Sequence, residues 1–237
     1  DTLAMINYTS GTSGFSKGVM IPYRALWSNV LFAYEVLPQI DDTSNVVSIL
    51  PSAHMYGMMF EFLFEITVGA HVHFLTRVPS PSIIVKAFEE IKPKIIISVP
   101  LVIEKIYKSR LQPFLSTPGV RFLLRVPIAD KKIKTQINDT LTNSFGGQFE
   151  EVIIGGAAFN READAFFNSI GFRYTVGYGM TECAPIIAYA DWKEKKVGSC
   201  GKAAPRMQIK IDSQYPQSLA GEILVKGDNT MLGYYRN

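Results

Sequence analysis

The chain has 237 residues, of which 47% are apolar, so it can bury a substantial core as one large domain or two small ones. Its 24 basic and 21 acidic residues are scattered along the sequence rather than gathered into a run, which argues against a nucleic-acid partner. The apolar runs are shorter than the roughly 20 residues that a membrane-spanning helix needs, so we predict no transmembrane segment.

The cysteine content and the two ends of the sequence indicate which cellular compartment to expect and whether the chain is part of a longer protein. Cys183 and Cys200 are the only cysteines, too few for a disulfide framework or a cysteine-based zinc site. No basic and apolar leader opens the sequence, so we expect a reducing, cytoplasmic compartment. The sequence begins within a strand pattern and ends without a helix or cap, so we expect it to be the central piece of a longer protein.

Strands and helices are predicted to alternate through most of the chain. Apolar and β-branched runs predict strands at 2–8, 45–50, 70–75, 94–99, 151–154 and 172–176. Helical patterns predict helices at 22–36, 55–67, 80–91, 100–115 and 130–145. Pro22 suits the first turn of the first helix, and Asn160 suits the cap of a further helix between the last two strands. The alternation is typical of an α/β fold with a mostly parallel sheet flanked by helices.

The pattern changes near residue 200. Short strands are predicted at 208–211 and 222–226, and turn-rich stretches separate them. We therefore predict an α/β portion over residues 1–200 and the start of a small antiparallel β subdomain over 201–237.

Residues 8–18, YTSGTSGFSKG, carry the densest chemical signal, between the first predicted strand and the first long predicted helix. A loop of small and hydroxyl residues leaves backbone N–H groups available for phosphate oxygens, and Lys17 adds a compact positive charge. The order is not that of a Walker loop, because Lys17 follows Ser16 and precedes Gly18. The stretch therefore predicts phosphate binding of another kind, with a surface loop that binds nothing as the alternative.

YTSGTSGFSKGV resembles the signature loop of the adenylate-forming, or AMP-binding, superfamily, which includes acyl-CoA synthetases, luciferases and the adenylation domains of peptide synthetases. Three more segments resemble motifs of that superfamily in its own order: LPSAHMYG at 50–57, EVIIGGAAF at 151–159 and VGYGMTE at 176–182. The final stretch, GEILVKGDNTMLGYYRN, resembles the segment that precedes the ribose-binding aspartate. The resemblance thus covers the whole chain and implies part of the large N-terminal domain of an acyl-CoA synthetase, without the mobile C-terminal domain.

The resemblance implies that the signature loop holds pyrophosphate. The residues concerned are Thr9, Ser10, Gly11, Thr12, Ser13, Gly14 and Lys17. Ser16 stands where the superfamily commonly has proline and Ser13 replaces a threonine, but both keep a small or polar character, so we expect phosphate binding to persist.

The other motifs are implied to surround the nucleotide and the acid. The residues assigned to the adenylate are Gly155, Gly156, Ala157, Tyr178, Gly179 and Thr181. Tyr178 would stack on adenine, Thr181 would donate to the α-phosphate, and Glu182 would bind Mg²⁺. His54 would contact the carboxylate of the acid or gate its tunnel. The candidate catalytic residues are Lys17, His54, Thr181 and Glu182; the alternatives are a core tyrosine, a solvated carboxylate and a hydrogen-bonded structural histidine.

Two further sequence patterns are only weak evidence for a functional site. His71 and His73 lie two apart on a predicted strand and share a face, but no nearby carboxylate or cysteine completes a metal site, so we expect none there. The Met- and Phe-rich stretch 55–64 could line an acyl tunnel, although such a stretch is more often core packing.

The resemblance implies an AMP-forming acid–thiol ligase that uses ATP, Mg²⁺ and CoA as cofactors and co-substrates. We expect a medium- or long-chain fatty acid as substrate, because residues 181–211 resemble the long-chain branch of the superfamily. Peripheral membrane contact stays open, since acyl substrates partition into bilayers. The alternatives are a ligase that loads an acyl or aminoacyl group onto a carrier protein and a nucleotide-binding module without catalysis. We expect the 237 residues alone to bind ATP weakly and to turn over little or nothing.

Overall fold

The computed structural model describes residues 1–10, 15–115, 117–123, 127–217 and 219–236. The predicted loop residues Gly11, Thr12, Ser13 and Gly14 lie outside these ranges.

The chain opens with an antiparallel hairpin and a long helix. Strand β1 spans Leu3–Ser10, strand β2 spans Ser16–Pro22 and helix α1 spans Tyr23–Val36. The sequence analysis does not predict β2, and it wrongly places a loop from the end of β1 to the helix. The missed signal is the alternation of Val19 and Ile21, both fully buried, which the neighbouring Ser, Lys and Gly obscure.

A parallel sheet forms the centre of the molecule. Its strands are β3 (Asn45–Ser48), β4 (His71–Phe74), β5 (Ile96–Ser98), β6 (Val152–Ile154) and β7 (Tyr174–Val176). Strand β4 pairs with β3, and β6 pairs with both β5 and β7. A parallel bridge between Val46 and Ile95 joins the two groups, so the order is β4-β3-β5-β6-β7. Every residue of β5, β6 and β7 is buried, as expected of strands covered on both faces, and the predicted parallel α/β sheet is confirmed.

Helices and one π-helical turn connect these strands. They are α2 (Met55–Met58), the π turn (Met59–Leu63), α3 (Phe64–Val68), α4 (Pro81–Ile91), α5 (Pro100–Arg110), α6 (Gln112–Leu115), α7 (Pro118–Leu123), α8 (Pro127–Ser144) and α9 (Arg161–Ser169). Asn160 caps α9 as predicted, since its side chain accepts from two backbone N–H groups. The helix predicted over 100–115 breaks at Leu111, where Pro113 cannot continue the helical hydrogen bonds. Helix α7 was not predicted.

Short antiparallel strands follow the parallel sheet. They are β8 (Tyr178–Gly179), β9 (Ile186–Tyr189), β10 (Lys202–Ala203), β11 (Met207–Asp212), β12 (Glu222–Gly227) and β13 (Gly233–Tyr234). Strands β8, β9 and β10 form one small sheet, and β11 pairs with β12, which agrees with the two predicted late strands. Strand β13 returns to the first hairpin and pairs with β2. The division near residue 200 stays a prediction.

Two apolar clusters fill the interior. One packs α1, β2, the π turn and β9 together, and the other packs α4, α8 and α9 against the parallel strands. Met55, Met59 and Phe64 are almost fully buried in the first cluster, so much of the Met- and Phe-rich stretch is core. Among the described residues, no helix has the length and apolar character required to cross a membrane.

Candidate functional site

Two cavities open on either side of the segment 177–179, which joins the parallel sheet to the small antiparallel sheet. Cavity A has a volume of about 620 Å³ and cavity B about 400 Å³. Both are lined by Gly156, Gly177, Tyr178 and Gly179. This position beyond the carboxyl ends of parallel strands is where open α/β sheets commonly bind ligands.

Cavity A combines an apolar interior with polar groups. Its apolar and aromatic lining includes Phe32, Tyr56, Phe60, Ile97, Ile153, Ile186 and Tyr189. Its polar lining includes His54, Thr181 and Glu182. An apolar cavity with a few convergent polar side chains is typical of a small-molecule site.

His54 is held at the start of α2. Its Nδ1 accepts a hydrogen bond of 3.3 Å from the backbone N–H of Tyr56, so the imidazole caps this short helix. The side chain remains exposed and lines cavity A. Because Nδ1 accepts this hydrogen bond, the ring N–H lies on Nε2, which leaves a donor for a ligand.

The glycines after β6 bring the backbone close to aromatic rings. A Cβ on Gly155 would lie 3.1 Å from the ring of Tyr56, whose hydroxyl donates to the carbonyl of Ile153 at 3.0 Å. Gly156 has φ of +84°, a left-handed conformation that favours glycine. The Gly-Gly segment therefore forms a thin wall between the sheet and the two cavities.

The turn that carries Thr181 and Glu182 is fixed by helix α1. Asn29, fully buried in α1, donates to the carbonyl of Cys183 at 3.2 Å and accepts from the N–H of Ile186 at 3.0 Å. A 3₁₀ helix, Thr181–Cys183, and a cis peptide bond between Ala184 and Pro185 lie within this turn. Sequence reasoning missed Asn29, although a lone amide inside an apolar helical face is a signal that could have found it.

Close packing at the base of the turn explains the second glycine of VGYGMTE. A Cβ on Gly179 would lie 2.2 Å from the carbonyl oxygen of Pro185, a separation that real Cβ atoms do not reach. Gly179 is thus required by the close approach of β8 and β9.

Lys17 of the signature loop and Glu182, the candidate metal ligand, both contact the side chain of Tyr234. The Nζ atom of Lys17 lies 4.9 Å from the centre of the Tyr234 ring. The hydroxyl of Tyr234 donates to Oε1 of Glu182 at 2.8 Å. Sequence reasoning missed Tyr234, which belongs to the last described strand.

Three buried carboxyl groups, those of Glu61, Glu65 and Glu151, were not predicted. Glu61 accepts hydrogen bonds from the Ser48 hydroxyl and from two backbone N–H groups, and burial raises its pKa to about 7. Burial and the nearby Glu61 raise the pKa of Glu65 to about 8, and neither of its oxygens has a hydrogen-bond partner among the described residues. Burial raises the pKa of Glu151 to about 7, although its Oε1 accepts from the hydroxyl of Tyr189 at 2.5 Å.

Cavity B has a different construction, because one carboxylate organises its outer wall. Asp164 in α9 accepts hydrogen bonds from the N–H of Gly198 at 2.6 Å and from the hydroxyl of Tyr174. Lys195 lies 3.3 Å from the same carboxylate and donates to the hydroxyl of Tyr174 at 2.7 Å. Burial lowers the pKa of Lys195. The lining residues of cavity B also include Ala157, Ala158, Phe159, Ser199 and Cys200.

The structure brings most of the predicted site together. Cavity A gathers the predicted residues His54, Gly155, Gly156, Tyr178, Gly179, Thr181 and Glu182, and cavity B adds Ala157. Thr9 and Lys17 pair across the hairpin and line neither cavity, and Ser10 ends β1. The chemical roles assigned to all these residues stay predictions.

The single carboxylate of Glu182 suits Mg²⁺ better than it suits a metal ion that is bound by protein side chains alone. Within the described ranges, no group of three or more His, Cys, Asp or Glu side chains could hold a metal ion. Mg²⁺ usually keeps several waters and takes one or two carboxylates together with substrate phosphates, so Glu182 at a cavity suits it. His73, by contrast, is occupied by Asn45, whose Oδ1 lies 2.8 Å from its Nε2.

The fold and the cavities beyond the strand ends define an α/β domain with the architecture of a ligand-binding domain. The AMP-binding enzyme family model matches residues 1–235, and the chain belongs to this family. The resemblance noted from the motifs is thereby confirmed.

Curated relatives match along the whole chain. Long chain acyl-CoA synthetase 8 of Arabidopsis thaliana is 24% identical, with 99% of this chain and 37% of that protein covered. Long-chain-fatty-acid–CoA ligase 1 of Saccharomyces cerevisiae is 25% identical over 100% of this chain and 37% of its own length. The chain therefore spans about two fifths of the length of these relatives.

Solved structures share the fold. ATP-bound MatB from Rhodopseudomonas palustris superposes with a TM-score of 0.73 at 24% identity and covers 99% of this chain, which matches 41% of that structure. O-succinylbenzoate coenzyme A synthetase (MenE) from Bacillus subtilis, in complex with ATP and a magnesium ion, gives 0.73 at 21% identity, with 99% and 44% covered. At these identities the similarity supports the fold alone.

Proposed function

We propose that the protein to which these residues belong activates a carboxylic acid with ATP and then transfers the acyl group to CoA. The observation that carries this proposal is the pair of cavities separated by Tyr178. One is apolar and offers His54, Thr181 and Glu182, and the other lies against Gly156 and Ala157. The first suits the tail and carboxylate of an acid, and the second suits a nucleotide base.

In the proposed reaction, a carboxylate oxygen of the acid attacks the α-phosphorus of ATP. A bond forms between that oxygen and the phosphorus, the bond to the β-phosphate breaks, and pyrophosphate leaves. The sulfur of CoA then attacks the acyl carbon: a C–S bond forms, the bond between the acyl carbon and the phosphate oxygen of AMP breaks, AMP leaves, and the thiol proton passes to water. Such phosphoryl chemistry depends mainly on positioning and on the stabilisation of negative charge.

The residues of the chain would divide this work. Lys17 would offset the charge on the departing pyrophosphate, and Thr181 would donate to the α-phosphate. The Nε2 proton of His54 would donate to the carboxylate of the acid and orient it in cavity A. Glu182 would hold Mg²⁺, which supplies positive charge to the triphosphate.

We propose a medium- or long-chain fatty acid as the substrate. The phenyl rings of Phe32 and Phe60 and the branched side chains of Ile97, Ile153 and Ile186 line the interior of cavity A, and such a lining favours an apolar tail. The names of the curated relatives support the same substrate class. CoA as the acceptor and the cytoplasm as the compartment are parts of the same proposal.

The test is acid-dependent exchange of labelled pyrophosphate into ATP, measured on the protein at its natural length with fatty, aryl and amino acids. We expect exchange with fatty acids and a loss of at least about 100-fold in Lys17→Ala and in Glu182→Ala, because the first removes a positive charge that would stabilise the transition state and the second removes the carboxylate that would hold Mg²⁺. Lys202→Ala and Glu194→Ala are matched controls, since their side chains are largely exposed and, among the residues that the structure describes, form an ion pair only with each other, at 3.6 Å.

The outcomes separate the alternatives. Exchange with fatty acids but acyl transfer to a phosphopantetheine carrier rather than to CoA would favour the carrier-loading enzyme. Exchange with amino acids alone would overturn the fatty-acid assignment. ATP binding without exchange for any acid would favour a non-catalytic nucleotide-binding module. We expect no exchange from the 237 residues alone.

A further inference from the structure

Tyr234 makes two contacts that join the signature hairpin to the turn carrying Glu182. Its hydroxyl donates to Oε1 of Glu182 at 2.8 Å, and its ring lies 4.9 Å from the ammonium nitrogen of Lys17. The distance and the pairing of a cation with an aromatic face are typical of a cation–π interaction. One side chain thus contacts both charged groups to which the proposed function assigns the phosphates and the metal.

The backbone around Tyr234 is fixed on both sides. Tyr234 pairs with Val19 in β2, and the N–H of the next residue donates to the carbonyl of Gly18 at 2.7 Å. Three residues earlier, the N–H of Met231 donates to the carbonyl of Glu182 at 2.8 Å. Residues 231–235 therefore bridge β2 and the Glu182 turn by main-chain bonds, which places the Tyr234 ring reproducibly between Lys17 and Glu182.

We propose that Tyr234 is a positioning residue for the metal and phosphate site. Its hydroxyl orients the Glu182 carboxylate by occupying Oε1, so that Oε2 is presented to Mg²⁺, and its ring holds the Lys17 ammonium group beside the phosphates. This inference rests on the proposed function, because it takes Glu182 as the metal ligand and Lys17 as the phosphate-binding group.

Two physical arguments support this role. A carboxylate that binds a metal is usually hydrogen-bonded by a neighbouring group, and loss of that neighbour typically weakens metal binding by about 10- to 100-fold. A flexible lysine side chain loses less rotational freedom on binding phosphate when an aromatic ring already restricts it. Tyr234 combines both effects in a partly buried position.

The hydroxyl is tested with Tyr234→Phe in the protein at its natural length, with Mn²⁺ as a paramagnetic probe and ATP at saturation. We expect the dissociation constant of Mn²⁺ to rise by about 10-fold or more, because the carboxylate is no longer oriented. Pyrophosphate exchange should need more Mg²⁺ for its half-maximal rate, and excess Mg²⁺ should restore the maximal rate. Tyr235→Phe is the matched control, since Tyr235 is 41% exposed and its ring faces Arg236, and within the described ranges its side chain makes no hydrogen bond or cation–π contact with Lys17 or Glu182.

Glu182→Gln separates failure of the inference from failure of the proposed function. If Glu182→Gln weakens Mn²⁺ binding and Tyr234→Phe does not, the positioning role is overturned and the metal assignment stands. If neither variant changes Mn²⁺ binding, the metal assignment itself fails. In the Glu182→Gln background, Tyr234→Phe should add no further loss; an additive loss would indicate a general structural effect and overturn the role.

The ring is tested separately by ATP binding with EDTA present and no divalent metal. Tyr234→Phe keeps the ring and should bind ATP as the wild type does. Tyr234→Leu removes the ring and should weaken ATP binding by roughly threefold, the size of an exposed cation–π interaction. Equal affinities in all three proteins would overturn the contribution of the ring.

Discussion

Cavities A and B share the segment 177–179, but their walls are held in place by different means. Cavity A is bounded by buried aromatic rings: Phe32 packs edge-on against Phe60 and Tyr189, with ring centres 6.2 and 5.5 Å apart, and Tyr56 packs against Phe60 at 6.0 Å. The outer wall of cavity B includes residues 198–200, which lie outside any strand; the N–H of Gly198 donates to Asp164, and Cys200 packs against the second apolar cluster. Packed aromatic rings hold the wall of cavity A in place, and hydrogen bonds to the carboxylate of Asp164 hold part of the wall of cavity B.

This difference indicates how each cavity can change. Many small contacts hold an aromatic wall, so a single substitution alters its volume without releasing it. A loop attached through one buried carboxylate is released when that carboxylate is lost. We therefore expect the specificity of cavity A to vary gradually with sequence and the integrity of cavity B to depend on a few residues.

The largest effect on pyrophosphate exchange is expected from Gly179→Ala, because Gly179 lies in the segment that lines both cavities. The new Cβ would lie 2.2 Å from the carbonyl oxygen of Pro185, so β8 and β9 must separate. We expect pyrophosphate exchange to fall by more than about 100-fold and the free energy of unfolding to fall by about 2–3 kcal/mol. Exchange kinetics and urea denaturation measure the two quantities.

Gly119→Ala is the control for this substitution. Gly119 lies in α7, and a Cβ there would meet no neighbouring atom of the described residues within 4 Å, so alanine should be neutral or slightly stabilising. Wild-type exchange in Gly179→Ala would show that the two cavities do not depend on this close approach.

A more local effect is expected from Asp164→Ala, which should damage cavity B and spare cavity A. The substitution leaves Lys195 buried without its carboxylate and frees the N–H of Gly198, and it should destabilise the fold by about 3 kcal/mol. The KM for ATP should rise by roughly tenfold, with a smaller change in the KM for the acid. Steady-state exchange kinetics at varied concentrations of ATP and of the acid measure these two KM values separately.

Asp139→Ala provides the comparison, because Asp139 is exposed on α8. Equal losses of affinity for ATP and for the acid in Asp164→Ala would contradict the separate construction of the two cavities.

An effect on stability alone is expected at Glu65, where burial raises the pKa to about 8 from an ordinary value of 4.5. The folded state therefore binds more protons than the unfolded state between about pH 4.5 and 8, and this group makes stability fall as pH rises through that window. In Glu65→Leu the free energy of unfolding should not fall in this way. It should exceed that of the wild type by about 2–3 kcal/mol between pH 5 and 8. Urea denaturation at several pH values measures it.

Glu89→Leu is the matched control for the pH profile, since Glu89 is exposed on α4. Parallel stability curves for the wild type and Glu65→Leu across this pH range would refute the buried, proton-binding state of Glu65.

What the sequence could predict depends on how far apart the cooperating residues lie along the chain. Tyr178, Thr181 and Glu182 are within five positions of each other, so a local motif predicted that they share a site, and cavity A contains all three. The parallel sheet was predictable because its short, continuous apolar strands have a local signature.

Residues that act across the chain were not predictable in this way. Asn29 contacts Ile186 over 157 positions, and Asp164 contacts Gly198 over 34. Asp164 lies in a helix that also carries exposed charges, so its charge alone predicts a solvated side chain. Strand β2 was missed because tertiary pairing with β1 and β13, rather than local propensity, stabilises a segment that contains Ser, Lys and Gly.

The return of β13 to the first hairpin has a practical consequence for the design of shorter fragments. Gly233 and Tyr234 occupy the outer side of β2, which is otherwise the edge of the β1–β2 hairpin. A fragment that stops before residue 233 would expose the backbone N–H and C=O groups of β2 next to the apolar side chains of Val19 and Ile21. Unprotected edges of this kind recruit strands from other molecules, so such fragments should self-associate during expression more than those that retain residues 233 and 234.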